Sequence, residues 1–255
     1  MFQRFLLTAA GLLLAFAAPA AAEETRLAVR ALASDAKFIG SSMSGMEVLV
    51  RDADTGELLD RGVTRGATGD TARILLSPRE RYAALSTQGA AAYVSVLDLD
   101  RPRRISVTVR GPLSQPQALA EASSTRWVFP GKHIEEGDGW LIEVPGFAVD
   151  VLGPAAHTYV EEGVRSVTVE ASVIMLCGCN TSPGGTWDAD EIEIEAHVLL
   201  NGEPLSSPPM RYAGRPSHYV TDINASRPGV YEVTVTAYDP RTGNTGLDRT
   251  SFVVR

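Results

Sequence analysis

Apolar and polar residues alternate over several short segments of the chain. In residues 105–110, "ISVTVR", the apolar Ile105, Val107 and Val109 are separated by polar residues. Successive side chains of a β-strand point to opposite faces, so this period of two predicts a strand with one buried face. The same pattern predicts strands in four further segments: residues 167–176, 191–200, 230–239 and 250–254.

Turn-forming residues separate the predicted strands. Asp54-Thr55-Gly56 and Asn201-Gly202 are typical of hairpin turns, and a Gly-containing loop follows Pro240. The sequence predicts no helices that could cross between parallel strands, and short, regularly spaced strands without such helices are typical of sandwiches. The predicted fold class is therefore all-β, with antiparallel β-sandwich domains.

The first 22 residues have the composition of a secretory signal peptide. Arg4 gives a positively charged start, residues 5–18 are mostly apolar, and small residues stand at Ala20 and Ala22, as at a cleavage site. The apolar run is shorter than the roughly 20 residues that span a bilayer. We therefore expect cleavage after Ala22, a periplasmic or secreted location, and no membrane insertion of the mature chain.

The charge of the chain narrows the classes of partner. With 23 basic and 31 acidic residues among 255, the net charge is −8, and loss of Arg4 with the signal peptide would make it about −9. Nucleic acids and anionic membrane surfaces attract basic patches. We expect neither as a partner, and the exported location favours another exported or envelope protein.

A division between two domains is predicted at about residue 155. Gly153 and Pro154 end the strand-like run "FAVDVL", and a new alternating pattern begins at Val164. The chain then consists of a signal peptide, residues 1–22, an N-terminal domain, residues 23–155, and a C-terminal domain, residues 156–255. Both domains have a common size for a single core.

Two segments carry resemblances to known families. Residues 227–254, "RPGVYEVTVTAYDPRTGNTGLDRTSFVV", resemble the closing hairpin of bacterial immunoglobulin-like and PKD-type domains, and this resemblance extends over about residues 160–255. Residues 46–64, "MEVLVRDADTGELLDRGVT", resemble part of transthyretin-like or carboxypeptidase-regulatory-like β-sandwiches. The resemblances imply stable modules used for adhesion, substrate positioning or assembly, and a fold alone does not settle function.

The only two cysteines stand one residue apart in "MLCGCN", residues 175–180. A strand that continued to Cys179 would place Met175, Cys177 and Cys179 on one inward face, with the Cα atoms of the two cysteines roughly 6.5 to 7 Å apart. That separation lies at the far edge of what a disulfide tolerates. A disulfide therefore requires a bend, which Gly178 and the following turn residues could provide.

Four interpretations of the cysteine pair remain open. In an exported protein, two cysteines are commonly oxidised to a disulfide. Two thiolates with the Met175 thioether or a histidine would suit Cu(I). Thiol-disulfide exchange is a third function for such a pair, although no thioredoxin-like βαβ pattern surrounds it. Free buried thiols are the fourth alternative.

Two other groups of residues are candidates for binding. Asp188, Asp190 and Glu191 in "WDADE" have the carboxylates for a hard cation, or they mark a solvated strand entry. Aromatic residues concentrate around a Pro-Gly and a Gly-Asp-Gly turn and form either an exposed binding surface or the closed end of a sandwich. These aromatic residues are Trp127, Phe129, Trp140 and Phe147.

Catalytic motifs are missing from the sequence: it has no Gly-x-Ser-x-Gly elbow, Gly-rich phosphate loop or His-Glu-x-x-His helix. We therefore predict a non-enzymatic accessory or binding protein of β-sandwich modules, with no catalytic residues. The alternative is a periplasmic copper-handling or thiol-redox protein that uses Cys177 and Cys179.

Overall fold

A computed structural model describes residues 21–161 and 163–255. The described chain is all-β, which confirms the predicted fold class, and its strands form four sheets that pack as β-sandwiches. Residues 1–20 of the predicted signal peptide lie outside the described residues. No helix in the described ranges has the length and apolar character needed to cross a membrane.

The N-terminal sandwich consists of a three-stranded sheet, in the order β4-β1-β7, and a four-stranded sheet, in the order β3-β2-β5-β6. Its strands are β1 (Glu23–Ala33), β2 (Glu47–Asp52), β3 (Leu58–Val63), β4 (Tyr93–Leu99), β5 (Arg103–Gly111), β6 (Ala120–Val128) and β7 (Trp140–Val144).

The C-terminal sandwich consists of a four-stranded sheet, in the order β13-β14-β10-β8, and a five-stranded sheet, in the order β12-β11-β15-β16-β9. Its strands are β8 (Phe147–Gly153), β9 (Thr158–Val160), β10 (Ser166–Met175), β11 (Glu193–Leu200), β12 (Glu203–Ser206), β13 (Arg211–Tyr212), β14 (His218–Asn224), β15 (Gly229–Tyr238) and β16 (Thr245–Val254).

Residues that alternate between apolar and polar in the sequence alternate between more and less buried in the structure. On β5, Ile105, Val107 and Val109 are fully buried, while the residues between them are not. Strands β10, β11 and β15 follow the same rule. Most neighbouring strands are antiparallel, as predicted, but β1 pairs with β7 in parallel and β9 pairs with the end of β16 in parallel.

Strand β8 belongs to the second set of sheets, although it lies before the predicted domain division at about residue 155. It precedes residue 155, yet it pairs with β10, with Met175 opposite Phe147 and Val173 opposite Val149. Strand pairing therefore passes from the first set of sheets to the second between β7 and β8. The sequence feature that marks this change of sheet is Pro145-Gly146, which interrupts the apolar run 142–151 between the two strands.

Strand β1 is buried on both faces. Its inward face contributes Leu27, Val29 and Ala31 to the main core. A long excursion between β3 and β4, which includes a π-helical turn at Ala72–Leu76, covers the outward face. The covering cluster is a small second core that consists of Leu32, Phe38, Ile74, Leu85, Ala90 and Ala91.

The described residues include three short 3-10 helices that join strands. One lies beside the cysteine loop, and another contains carboxylates singled out in the sequence. Ser41–Met43 precedes β2, Pro116–Ala118 precedes β6, and Ala189–Glu191 precedes β11. The first brings Met43 to the cysteine loop, and the third contains two of the carboxylates proposed for a cation.

Candidate functional site

The cysteine loop is a tight turn at the end of β10. The strand ends at Met175, one residue before the end of the predicted segment 167–176, and the Gly178 N–H donates to the carbonyl of Met175 at 2.8 Å. Gly178 has a φ of +82°, which favours glycine because it lacks a Cβ. The turn brings the Cα atoms of Cys177 and Cys179 to 5.5 Å, and the two residues form a disulfide.

The disulfide uses both thiols that a copper site would need. Cys177 is 1% exposed, Cys179 is partly buried, and Met175 is 1% exposed. Within the described residues, no group of three or more histidine, cysteine or acidic side chains is arranged to hold a metal ion. A copper ion at this loop would therefore first require reduction of the disulfide.

A buried hydroxyl network fixes the chain that leaves the disulfide. Thr181 is fully buried, and its Oγ1 donates to the carbonyl of Val173 at 2.9 Å and lies 2.7 Å from the Tyr219 hydroxyl. Its N–H donates to Ser217 Oγ at 3.0 Å. Burial raises the pKa of Tyr219. Because each buried polar group here has a partner, the exit of the loop is held in one conformation.

The cysteine loop packs against the N-terminal sandwich. A Cβ built on Gly178 would lie 2.9 Å from the Met43 sulfur, and the Ser42 hydroxyl lies 3.4 Å from the Cys177 carbonyl, to which it donates. Met43 is buried at this contact. The disulfide therefore lies where the two sandwiches meet.

Two further hydrogen bonds join the sandwiches near the same place. The indole N–H of Trp187 donates to the carbonyl of Asp35 at 2.7 Å. Asn244, which is fully buried, donates from Nδ2 to the carbonyl of Ser34 at 3.0 Å and accepts from the Gly146 N–H at 2.8 Å. These contacts connect loops of the C-terminal sandwich to the chain that follows β1 and β7.

Two of the three carboxylates proposed for a cation, those of Asp188 and Glu191, already have partners in the protein. Asp188 Oδ1 accepts from the N–H groups of Asp190 at 3.0 Å and Gly184 at 2.9 Å, and these bonds lower the pKa of Asp188. Glu191 forms an ion pair with Arg241. Asp190 is exposed. The segment is thus a capped turn, and the three carboxylates do not converge on one point among the described residues.

Acidic groups and one arginine surround this junction. Asp239 is 3% exposed and accepts from the Arg241 side chain at 3.2 Å. Burial raises the pKa of Asp35, and the nearby charge of Asp239 raises it further. The positive charge of Arg241 lowers the pKa of Asp35. The same guanidinium also pairs with Glu191 and Asp239, so it neutralises several carboxylates at this junction.

The predicted aromatic surface divides into two buried and two exposed residues. Trp140 and Phe147 belong to the core, with exposures of 0% and 2%, because they occupy inward positions at the starts of β7 and β8. They cannot contribute to an exposed surface. Trp127 and Phe129 are 58% and 50% exposed at the end of β6.

A groove on the outward face of the five-stranded sheet was not predicted. It crosses β11, β15 and β16, has a volume of about 600 Å³, and is lined by Leu199, Val230, Glu232, Thr234, Arg249 and Ser251, among others. Leu199 and Val230 are apolar at outward positions, whereas the nearest residues on the same face of their strands, His197 and Glu232, are polar. That break in the alternation is the sequence signal that could have revealed the groove.

The charged side chains of the groove are available to a ligand. Among the described residues, neither Arg249 nor Glu232 forms a side-chain hydrogen bond or ion pair. Arg249 lies opposite Thr234 across β15 and β16, and Glu232 lies opposite Ser251 one step along. Opposite charges, hydroxyls, the exposed Val230 and the half-buried Leu199 therefore share one open surface.

Comparisons with known proteins give no family. No family model matches the sequence, and no curated protein matches it. A crystal structure of an engineered protein matches 50% of this chain and 24% of its own length, at 16% identity and a TM-score of 0.32. Fibronectin(III)-like modules of CbhA from Clostridium thermocellum match 91% of this chain and 94% of their own, at 13% identity and a TM-score of 0.28. Scores this low carry no weight for function.

Proposed function

We propose that the protein is an exported, non-enzymatic accessory protein that binds another exported or envelope protein through the groove of β11, β15 and β16. Arg249 and Glu232, which have no side-chain partner among the described residues, lie beside half-buried Leu199 and exposed Val230, and this arrangement carries the proposal. The volume of the groove is within the range of ligand sites, roughly 300 to 1,000 Å³. A segment that presents an apolar side chain and a carboxylate fits this surface.

The exported location rests on separate support. A disulfide persists in oxidising compartments and is rare in reducing ones, so the bridge between Cys177 and Cys179 favours a periplasmic or secreted protein. The predicted signal peptide favours the same location. The resemblance of the C-terminal sandwich to immunoglobulin-like or PKD-type modules remains a prediction and agrees with a binding role.

Site-specific photo-crosslinking tests the binding function. A photoreactive amino acid at Thr234, inside the groove, is expected to capture a discrete partner in the native envelope. The matched control is the same substitution at Thr168, which faces outward on the opposite sheet of the same sandwich. The partner band should disappear when Val230→Glu and Arg249→Ala are added. Equal crosslinking at both positions would contradict the proposal.

A thiol-redox role is the second candidate, because Cys179 is only partly buried beside the buried Cys177. Exchange would begin with attack of an external thiolate on a sulfur of the bridge, which gives a mixed disulfide and one free thiol. A second thiol of the reductant then releases the reduced pair and becomes oxidised itself.

Intact-mass measurements distinguish these functions. Protein purified without reductant or chelator should be lighter by two hydrogens than the reduced chain. If the pair acts in redox exchange, a glutathione buffer near −200 mV should reduce it in the folded protein. Resistance to that buffer would leave the bridge as a structural clamp. Copper that binds only after reduction and is lost in the Cys177→Ser, Cys179→Ser variant would favour copper handling.

A further inference from the structure

Strand β6 is the outer strand of its four-stranded sheet. It pairs only with β5, over all nine of its residues and without a register shift. Its other edge makes no backbone hydrogen bond within the described chain. Outer strands of natural proteins are usually short, bulged, or protected by proline or lysine. β6 has none of these features.

The side chains of β6 leave that edge accessible. Ser123 and Thr125 are small and exposed on the outward face. Arg126 is exposed, and its guanidinium lies over the Trp140 ring, 4.9 Å from the ring centroid. Ser124 accepts from the Trp140 indole N–H at 2.6 Å. Between Ala122 and Thr125 an added strand would therefore meet backbone and small side chains, and the charged and bulky residues Glu121, Arg126 and Trp127 lie on either side of this stretch.

The two ends of β6 are complementary to each other. Trp127 and Phe129 are exposed at one end, and Leu119 is 43% exposed just before the other end. Antiparallel pairing about a two-fold axis at Ser124 would place Phe129 of one copy opposite Leu119 of the other. Trp127 would then lie opposite Glu121. A two-fold interface requires such self-complementarity.

We propose that the β6 edges of two copies of this chain pair antiparallel and form a homodimer with a continuous eight-stranded sheet. The backbone hydrogen bonds of the edge supply the association, and contacts between the exposed aromatic residues and Leu119 fix the register. This proposal is independent of the groove, which lies on the C-terminal sandwich.

Sedimentation equilibrium of the exported protein, with its disulfide intact, measures the dimer. The variant Ser123→Lys with Thr125→Lys would place lysines directly opposite lysines across the two-fold axis. Its dimer dissociation constant should rise by about tenfold or more. The matched control, Ser106→Lys, introduces the same charge on the neighbouring inner strand and should leave the constant unchanged.

Cysteine crosslinking checks the register. Opposite residues on antiparallel strands have Cα atoms about 4.5 to 5.5 Å apart, which suits a disulfide. A mixture of the Ser123→Cys and Thr125→Cys proteins should therefore form a crosslinked dimer under oxidation, whereas Ser106→Cys with Thr125→Cys should not. A protein that stays monomeric at all concentrations, or that dimerises equally well as the double lysine variant, would overturn the proposal.

Discussion

Gly178 lies against Met43 where the cysteine loop packs on the N-terminal sandwich: a Cβ on Gly178 would lie 2.9 Å from the Met43 sulfur. The glycine is required twice, once for its φ of +82° and once for the missing side chain. The same residue therefore closes the disulfide turn and allows the two sandwiches to approach.

Substitution of Gly178 should destabilise the protein more than substitution of a glycine with similar geometry and open surroundings. Gly184 has a φ of +65° and no atom within 4 Å of a built Cβ. We expect Gly178→Ala to lower the free energy of unfolding by about 1 to 3 kcal/mol more than Gly184→Ala, through overpacking. Urea denaturation measures both. Addition of Met43→Ala should recover part of the difference, and strictly additive costs would argue against the contact.

Removal of the Asn244 side chain should weaken the junction of the sandwiches. Asn244→Ala would leave the Ser34 carbonyl and the Gly146 N–H without their partners, at a cost on the order of 2 to 4 kcal/mol. Limited proteolysis should show faster cleavage near Gly146. The control Asn224→Ala removes an exposed amide that accepts only a local N–H from Ser226. Equal losses in the two variants would contradict a special role for Asn244.

The protein should lose stability at alkaline pH through Tyr93. Burial and the hydrogen bond to Asp60 raise the pKa of Tyr93 to about 12. An unfolded tyrosine ionises near pH 10, so between about pH 10 and 12 the unfolded state binds fewer protons and is favoured. Urea denaturation at several pH values should show a decline in this window that Tyr93→Phe reduces. An unchanged slope in that variant would assign the decline to other groups.

At acidic pH, two aspartates should contribute to the loss of stability. Hydrogen bonds from backbone N–H groups lower the pKa values of Asp52 and Asp188. Their contribution is present above the unfolded pKa, near 3.9, and is lost as the pH falls through the lower folded value. Asp52→Asn with Asp188→Asn keeps the acceptor oxygens and should flatten the acid limb of the stability profile. The control Asp98→Asn changes an exposed carboxylate on β4 that has no side-chain partner among the described residues, and it should leave that limb intact.

The individual strands could be predicted from the sequence better than their arrangement. Burial alternates along β5, β10, β11 and β15, so the apolar or polar character of each residue indicates the strand. Pairing depends on contacts between distant segments, which one sequence does not display. The parallel pairing of β1 with β7 and of β9 with β16 follows from the path of the chain, and the excursion that covers β1 follows from tertiary packing.

The cysteine loop could be predicted in part. The need for a bend followed from the spacing of Cys177 and Cys179, and Gly178 provides it in the structure. The contact with Met43 and the network of Thr181, Ser217 and Tyr219 join residues far apart in the chain, so no local pattern indicated them. The four aromatic residues do not form one surface. Aromatic composition alone does not distinguish the inward Trp140 from the outward Trp127.

The position of β1 in its sheet sets the order in which the protein can fold. Glu23 pairs with Leu99 on one side, and Ala33 pairs with Val144 on the other. The first strand of the described chain must therefore wait for partners that emerge much later during synthesis. Closing such long loops costs entropy before any contact repays it, and folding dominated by distant pairings is slow. Until β7 is available, β1 lacks one of its two strand partners.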